Sequence, residues 1–151
     1  NDNAPGQVVI SGESEAVREI INISSSEGVK KAIMLDVSAP FHSPLMQPAS
    51  KIMETALSKI VLSPPAVPIL FNVNADSETN TENIKNLLVQ QVTKRVRWRE
   101  IIERMSNEKV EFVIELGAGK VLSGLAKRVD RNLDTISLSN PNDIDILLKK
   151  I

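Results

Sequence analysis

His42 is the only imidazole in 151 residues, and imidazole is the side chain that most readily exchanges protons near neutral pH. It stands in Ala39-Pro40-Phe41-His42-Ser43-Pro44. Each proline there pushes its predecessor out of the helical region, so a loop is expected. A histidine displayed on a proline-bracketed loop is a candidate general base. Taken alone, a lone histidine is more often a surface ring or one satisfied by a structural hydrogen bond. A metal centre is not expected, since the chain has one histidine and no cysteine. The lack of cysteine also removes disulfides and thiol nucleophiles, and suits a reducing cytoplasm.

Two other stretches invite chemistry. Gly117-Ala118-Gly119-Lys120 could be a phosphate loop, but that motif needs Ser or Thr after the lysine, and Val121 stands there. Leu122 occupies the place of the third glycine in a dinucleotide fingerprint. A tight turn between strand and helix is the better reading. The run Lys94-Arg95-Val96-Arg97-Trp98-Arg99 offers no stacking aromatic beyond Trp98, so nucleic acid is not expected and a solvated helix start is favoured. The same arginines, Arg95, Arg97 and Arg99, are candidates for an acidic protein partner.

The elements that must position these residues follow from periodicity. Gln7 to Ile10 reads as a short strand, and Ser14 as the cap of a helix with Ala16, Val17, Ile20 and Ile21 on one stripe. Ala32 to Val37 reads as the next strand. After the histidine loop comes a helix with Pro48 in its first turn and Ile52, Ala56 and Ile60 as its buried face. Val67 to Val73 is a strand, with Asn74 to Asn80 a polar loop. Thr81 with Asn83 opens a helix bearing Ile84, Leu87, Leu88 and Val92. Gln91 shares that apolar face, seven residues after Ile84, and at this point reads equally as a border residue of the core. Trp98, Ile101, Ile102 and Met105 mark another helix. Val110 to Leu116 has the near-continuous apolar run of a parallel strand. A helix from about Val121 to Val129, a strand over Ile136 to Leu138 and a helix over Ile144 to Leu148 complete the chain. From Pro48 onward this alternation predicts an α/β sheet with crossovers. The chain is 42% apolar and 25% charged with net charge −1, a globular balance with no field to recruit nucleic acid or membrane. No apolar run reaches the roughly 20 residues that span a bilayer. The first residues have neither a basic nor an apolar signal region, and their turn chemistry without an initiator methionine predicts a piece of something longer.

Read in order, three stretches resemble one family. They are Asn3-Ala4-Pro5-Gly6-Gln7-Val8-Val9-Ile10-Ser11-Gly12, Val37-Ser38-Ala39-Pro40-Phe41-His42-Ser43-Pro44-Leu45-Met46 and Glu115-Leu116-Gly117-Ala118-Gly119-Lys120-Val121-Leu122-Ser123-Gly124-Leu125. Between them lie Pro68 with Asn72-Val73, and Val96-Arg97-Trp98 after the helix that holds Gln91. Together they resemble the bacterial malonyl-CoA:acyl-carrier-protein transacylases and the related acyltransferase domains of fatty-acid and polyketide synthases, over essentially the whole chain.

The resemblance implies an α/β fold in which residues 1–38 end a ferredoxin-like small subdomain. Residues 39–151 would then supply the C-terminal part of an α/β-hydrolase-like large subdomain. It implies acyl transfer through a serine acyl-enzyme, with His42 as the general base and the backbone carbonyl of Gln91 orienting its ring. Phe41 would narrow the pocket against an α-methyl group, and Asn3 would line the substrate cleft. No cofactor is implied: malonyl arrives as a coenzyme A thioester, and the partner is acyl carrier protein. The chain departs from the family in lacking any Gly-x-Ser-x-Gly elbow, the arginine that pairs with the malonyl carboxylate and the glutamine loop of the oxyanion hole. The expected missing partner is an N-terminal half bearing the serine nucleophile, and a cytoplasmic setting is expected. Alternatives are a polyketide-synthase-type acyltransferase domain, whose chain would continue beyond Ile151 where this one looks complete after its last helix, or a non-catalytic fragment that binds carrier protein. A weaker one is a phosphate-binding module built on Gly117 to Lys120.

Overall fold

The computed structural model describes residues 1–149, without the side chain of residue 146. The chain forms two compact units, Asn1 with Val9–Val96, and Asp2–Val8 with the residues from Arg97 onward. The division expected after residue 38 is not the division between these units.

In the first unit, helix α1 spans Ser14–Ser24. Glu13, not Ser14, takes the cap position, and no side chain bonds the first-turn N–H groups. Of its expected stripe, Val17 and Ile21 are partly covered while Ala16 and Ile20 stay exposed. Residues 32–37 form no strand. Ile33, Met34, Leu35 and Val37 are all exposed, and without a partner ladder an extended apolar run gains nothing from pairing.

Helix α2 covers Gln47–Leu57, with proline at its start as expected. Its apolar face is not buried. Ile52 is 72% exposed, and Met53 and Ile60 are exposed with it. The helix docks on α3 (Thr81–Gln91) instead through a small residue, Ser50, which is buried and donates its hydroxyl to the Val89 carbonyl at 3.2 Å. Strand β3, Ile69–Phe71, pairs antiparallel with β4, Asp76–Glu78, in the register Ile69↔Glu78 and Phe71↔Asp76. The segment read as a polar loop therefore holds a strand. Asp-Ser-Glu is poor strand sequence, and only the pairing with Ile-Leu-Phe makes it one.

That hairpin prepares the next helix. Oε1 of Glu78 accepts from the N–H groups of Thr79 and Asn80 at 2.8 Å, and Oε2 accepts from Asn83 Nδ2 at 2.9 Å. Hydrogen bonding from the Asn80 N–H, then Asn83, holds the Glu78 carboxyl below its ordinary value. Asn80, rather than Thr81, caps α3: its Oδ1 accepts from Glu82 and Asn83 N–H, both at 3.0 Å. Phe71 and Ile84 are the buried apolar residues of this unit.

In the second unit, α4 spans Trp98–Asn107 and α5 spans Val121–Val129. Strand β5, Phe112–Leu116, runs parallel to β6, Asp134–Leu138, with Ile114 opposite Ile136. Parallel strands cannot be joined by a tight turn, and α5 makes the crossover. The core is Ile102, Ala126 and Leu133, packed round by Trp98, Met105, Val113 and Val129. A short hairpin of β1, Asp2–Ala4, and β2, Gln7–Val8, lies on α4 and α5 with Ala4 buried. Arg99 clasps Asp2 with Nε at 3.0 Å and Nη2 at 2.7 Å, and its Nη1 meets Glu103 at 2.7 Å. Arg128 reaches Gln7 from α5. Two helices thus each pin one strand of the hairpin with an arginine. The turn Pro141–Asp143 leads into α6, Ile144–Leu148. Among the described residues, no helix is long and apolar enough to cross a membrane.

The turn between β5 and α5 places Gly117 at φ 130° and Gly119 at φ 95°, a region that residues with a Cβ rarely enter. Glu115 then folds its carboxylate back over the helix start, accepting from Leu122 N–H at 3.1 Å and Ser123 N–H at 2.9 Å. The Ser137 hydroxyl reaches it as well, at 3.3 Å. These bonds, that from the Ser123 N–H above all, hold the Glu115 carboxyl below its ordinary value. A group so depressed stabilises the fold above the ordinary glutamate value of about 4.3, and that contribution disappears as pH falls through the lower folded value. Glu115→Gln is therefore expected to lower the melting temperature at neutral pH, and the gap to the parent should close on acidification below about pH 4. Calorimetry across that range checks it, and a gap independent of pH would contradict the assignment.

Candidate functional site

His42 sits in a loop that its neighbours leave little freedom. The Phe41 N–H donates to the Ala39 carbonyl at 2.9 Å, and the Ser43 hydroxyl donates to the Pro40 carbonyl at 2.7 Å. The Met46 N–H returns to the Ser43 carbonyl at 3.0 Å, starting the short turn Pro44–Met46 that runs into α2. Between these bonds His42 adopts φ 60°. Left-handed backbone at a residue with a Cβ costs on the order of 1–2 kcal/mol and persists where surrounding contacts over-determine it.

The ring is partly buried, and its Nδ1 lies 2.8 Å from the carbonyl oxygen of Gln91. A carbonyl can only accept, so Nδ1 carries the hydrogen and donates it. In the neutral ring Nε2 is then left with its lone pair, ready to accept a proton. The partner carbonyl is free for a reason of local structure: Gln91 is the last residue of α3, where carbonyls have lost their helical donors. Neighbouring carbonyls are otherwise taken, Gln90 by the N–H groups of Thr93 and Lys94 and Val89 by Ser50.

The other expected site residues fall in different places. Phe41, next to His42 in the same loop, is exposed. Asn3 is the middle residue of β1, in the other unit. Partly buried, it stands at an irregularity in the β1–β2 pairing, between Asp2, which turns to Arg99, and the buried Ala4. Of the basic run, Arg97 is paired with Glu100 and Arg99 with Asp2 and Glu103. The phosphate-loop alternative also fails. The helix N–H groups of Leu122 and Ser123 that a phosphate would use already donate to Glu115. Among the described residues no group of three or more His, Cys, Asp or Glu side chains could hold a metal ion.

Sequence reasoning missed Ser43 and Glu115. A serine beside a histidine and a glutamate one residue before the end of a strand carry no spacing signal. Only the fold brings each to its acceptor or donor.

The chain belongs to the Acyl transferase domain family, matched over residues 2–136. Among its relatives is the malonyl CoA-acyl carrier protein transacylase of Bacillus subtilis, 41% identical over 151 residues, which are 100% of this chain and 48% of that protein. The Escherichia coli K12 protein of the same name is 41% identical over 94% of this chain and 46% of its own length. The solved acyl-carrier-protein-S-malonyltransferase of Bartonella henselae superposes with a TM-score of 0.87 at 44% identity, covering 92% of this chain and 44% of that one. A malonyl-transacylase solved in complex with a type II polyketide acyl-carrier protein gives 0.94 at 36% identity, over 99% of this chain and 48% of that one. The chain therefore shares the α/β fold of solved malonyltransferases and spans about half the length of the curated relatives it matches.

Proposed function

We propose that this chain supplies the general-base half of a malonyl-CoA:acyl-carrier-protein transacylase. The observation that carries the reading is the 2.8 Å contact from His42 Nδ1 to the Gln91 carbonyl, which leaves Nε2 as the accepting atom. The serine nucleophile comes from the part of the relatives' length that this chain does not span. His42 Nε2 takes the proton from that hydroxyl as its oxygen attacks the malonyl thioester carbon. The C–S bond breaks, and the departing sulfur takes the proton back from the imidazolium to leave as coenzyme A thiol. In the second half the phosphopantetheine thiol of acyl carrier protein gives its proton to Nε2 and attacks the malonyl–serine ester. The serine oxygen leaves with that proton, which regenerates the enzyme. Each half-reaction is proton-neutral, so no cofactor is required beyond the thioester substrate.

Phe41 bears on selectivity. Beside the base, its ring fills space that an α-methyl on the acyl group would need, and a single methyl is worth about 1–3 kcal/mol. Asn3 lines the substrate cleft in this reading. Residues 1–38 end a ferredoxin-like small subdomain and residues 39–151 complete an α/β-hydrolase-like large one, a division of the complete protein distinct from the two units this chain forms. The many exposed apolar side chains, Ile52 and Leu116 among them, support a complementary half that covers them. A cytoplasmic setting accords with the absence of cysteine. The polyketide carrier protein seen with one structural relative supports acyl carrier protein as the partner, whichever pathway it serves.

In the enzyme that carries both halves, His42→Ala is expected to lower acyl-enzyme formation by at least about 100-fold with folding intact. Gln91→Ala should leave the rate nearly unchanged, because the main chain is the acceptor. Burst kinetics with malonyl-CoA read both; a near-normal rate in the histidine variant overturns the reading, as does malonyl transfer by the isolated 151-residue chain. Phe41→Ser is expected to improve use of methylmalonyl-CoA relative to malonyl-CoA by roughly tenfold, measured as a ratio of kcat/KM. An unchanged ratio removes Phe41 from the pocket.

A further inference from the structure

We propose that Ser43 is a positioning residue, whose buried hydroxyl closes the turn that holds His42 left-handed and so fixes which imidazole nitrogen is free. The inference rests on the general-base reading of His42 and adds the device that keeps the base in its working form.

Ser43 is 4% exposed. A buried hydroxyl must find an acceptor, and this one takes the Pro40 carbonyl at 2.7 Å. The bond spans Pro40 to Ser43 and encloses Phe41 and His42. At one end Pro40 has its φ locked by its ring. At the other, the Ser43 carbonyl accepts from Met46 N–H at 3.0 Å, joining the turn to the start of α2. His42 lies between two fixed points and at φ 60°, a backbone state that an unconstrained histidine leaves for the β or right-handed region.

Backbone state and proton position are linked here. Rotating φ out of the left-handed region swings the Cα–Cβ bond and carries Nδ1 away from the Gln91 carbonyl. A released neutral imidazole in water prefers its hydrogen on Nε2, the nitrogen that must be bare to accept a proton. Losing the Ser43 hydroxyl therefore does more than loosen a loop. It moves the ring toward the tautomer that cannot act.

The test uses the complete enzyme with Ser43→Ala and with Ser43→Cys, whose thiol is a weaker donor of similar reach. Nitrogen-15 NMR of the imidazole, assigned by the signals lost in His42→Gln, reads the tautomer directly. Expected is an Nδ1–H ring in the parent, a shift toward Nε2–H in Ser43→Ala, and recovery of most Nδ1–H in Ser43→Cys. Acyl-enzyme formation should fall roughly tenfold in the alanine variant, the scale of one hydrogen bond, with KM unchanged. A purely structural serine would lower the melting temperature yet leave tautomer and turnover per folded molecule alone, and that result overturns the proposal. So does identical behaviour of the alanine and cysteine variants. If His42→Gln itself keeps normal turnover, the general-base reading falls first and the role of Ser43 with it.

Discussion

Where an α-helix ends, its last carbonyls need donors from elsewhere, and at the end of α3 the Gln91 carbonyl receives one from His42 Nδ1. Much of the first unit can be understood as holding that contact. Glu78 and Asn80 fix where α3 begins, so its length fixes where Gln91 falls. Ser50 docks α2 against the same last turn through the Val89 carbonyl. The Pro40–Ser43 turn delivers the ring. A carbonyl in this role differs from a carboxylate in one useful respect: it does not titrate. The orientation of the neutral ring then does not depend on a second ionisation.

The second unit shows the same economy of charge. Arg99 is committed to Asp2 and Glu103, and Glu115 to the start of α5. Its apolar residues divide sharply. Ile102 and Ala126 are fully buried where α4 and α5 meet, whereas Leu116 at the end of β5 is 77% exposed. Parallel sheets are normally covered on both sides, so exposed apolar residues on β5 depart from that pattern.

How far the sequence could be read follows from these contacts. Helices α3 and α5 were legible because apolar spacing and local punctuation agreed: Thr-Glu-Asn at one start, Gly-Ala-Gly before the other. Strand β4 was not, since Asp76-Ser77-Glu78 becomes a strand only by pairing with β3. Residues 32–37 erred the other way, with strand-like composition and no ladder to join. The face of α2 was misjudged because an apolar stripe shows what can be buried, while the docking on α3 goes through Ser50. At the site, His42 was conspicuous by type, whereas Gln91 on its apolar face read equally as a border of the core, and only the family resemblance implied a role for its carbonyl. Ser43 gave no signal, because a bond of span three looks like nothing until its acceptor and its burial are known.

The central claim is geometric, and the most direct test is a crystal structure of the complete enzyme with both halves present. The expected result is His42 Nε2 within about 2.6–3.2 Å of the nucleophilic serine Oγ, with Nδ1 still on the Gln91 carbonyl. A ring with Nε2 turned into solvent, or with Nδ1 released from that carbonyl, would contradict it.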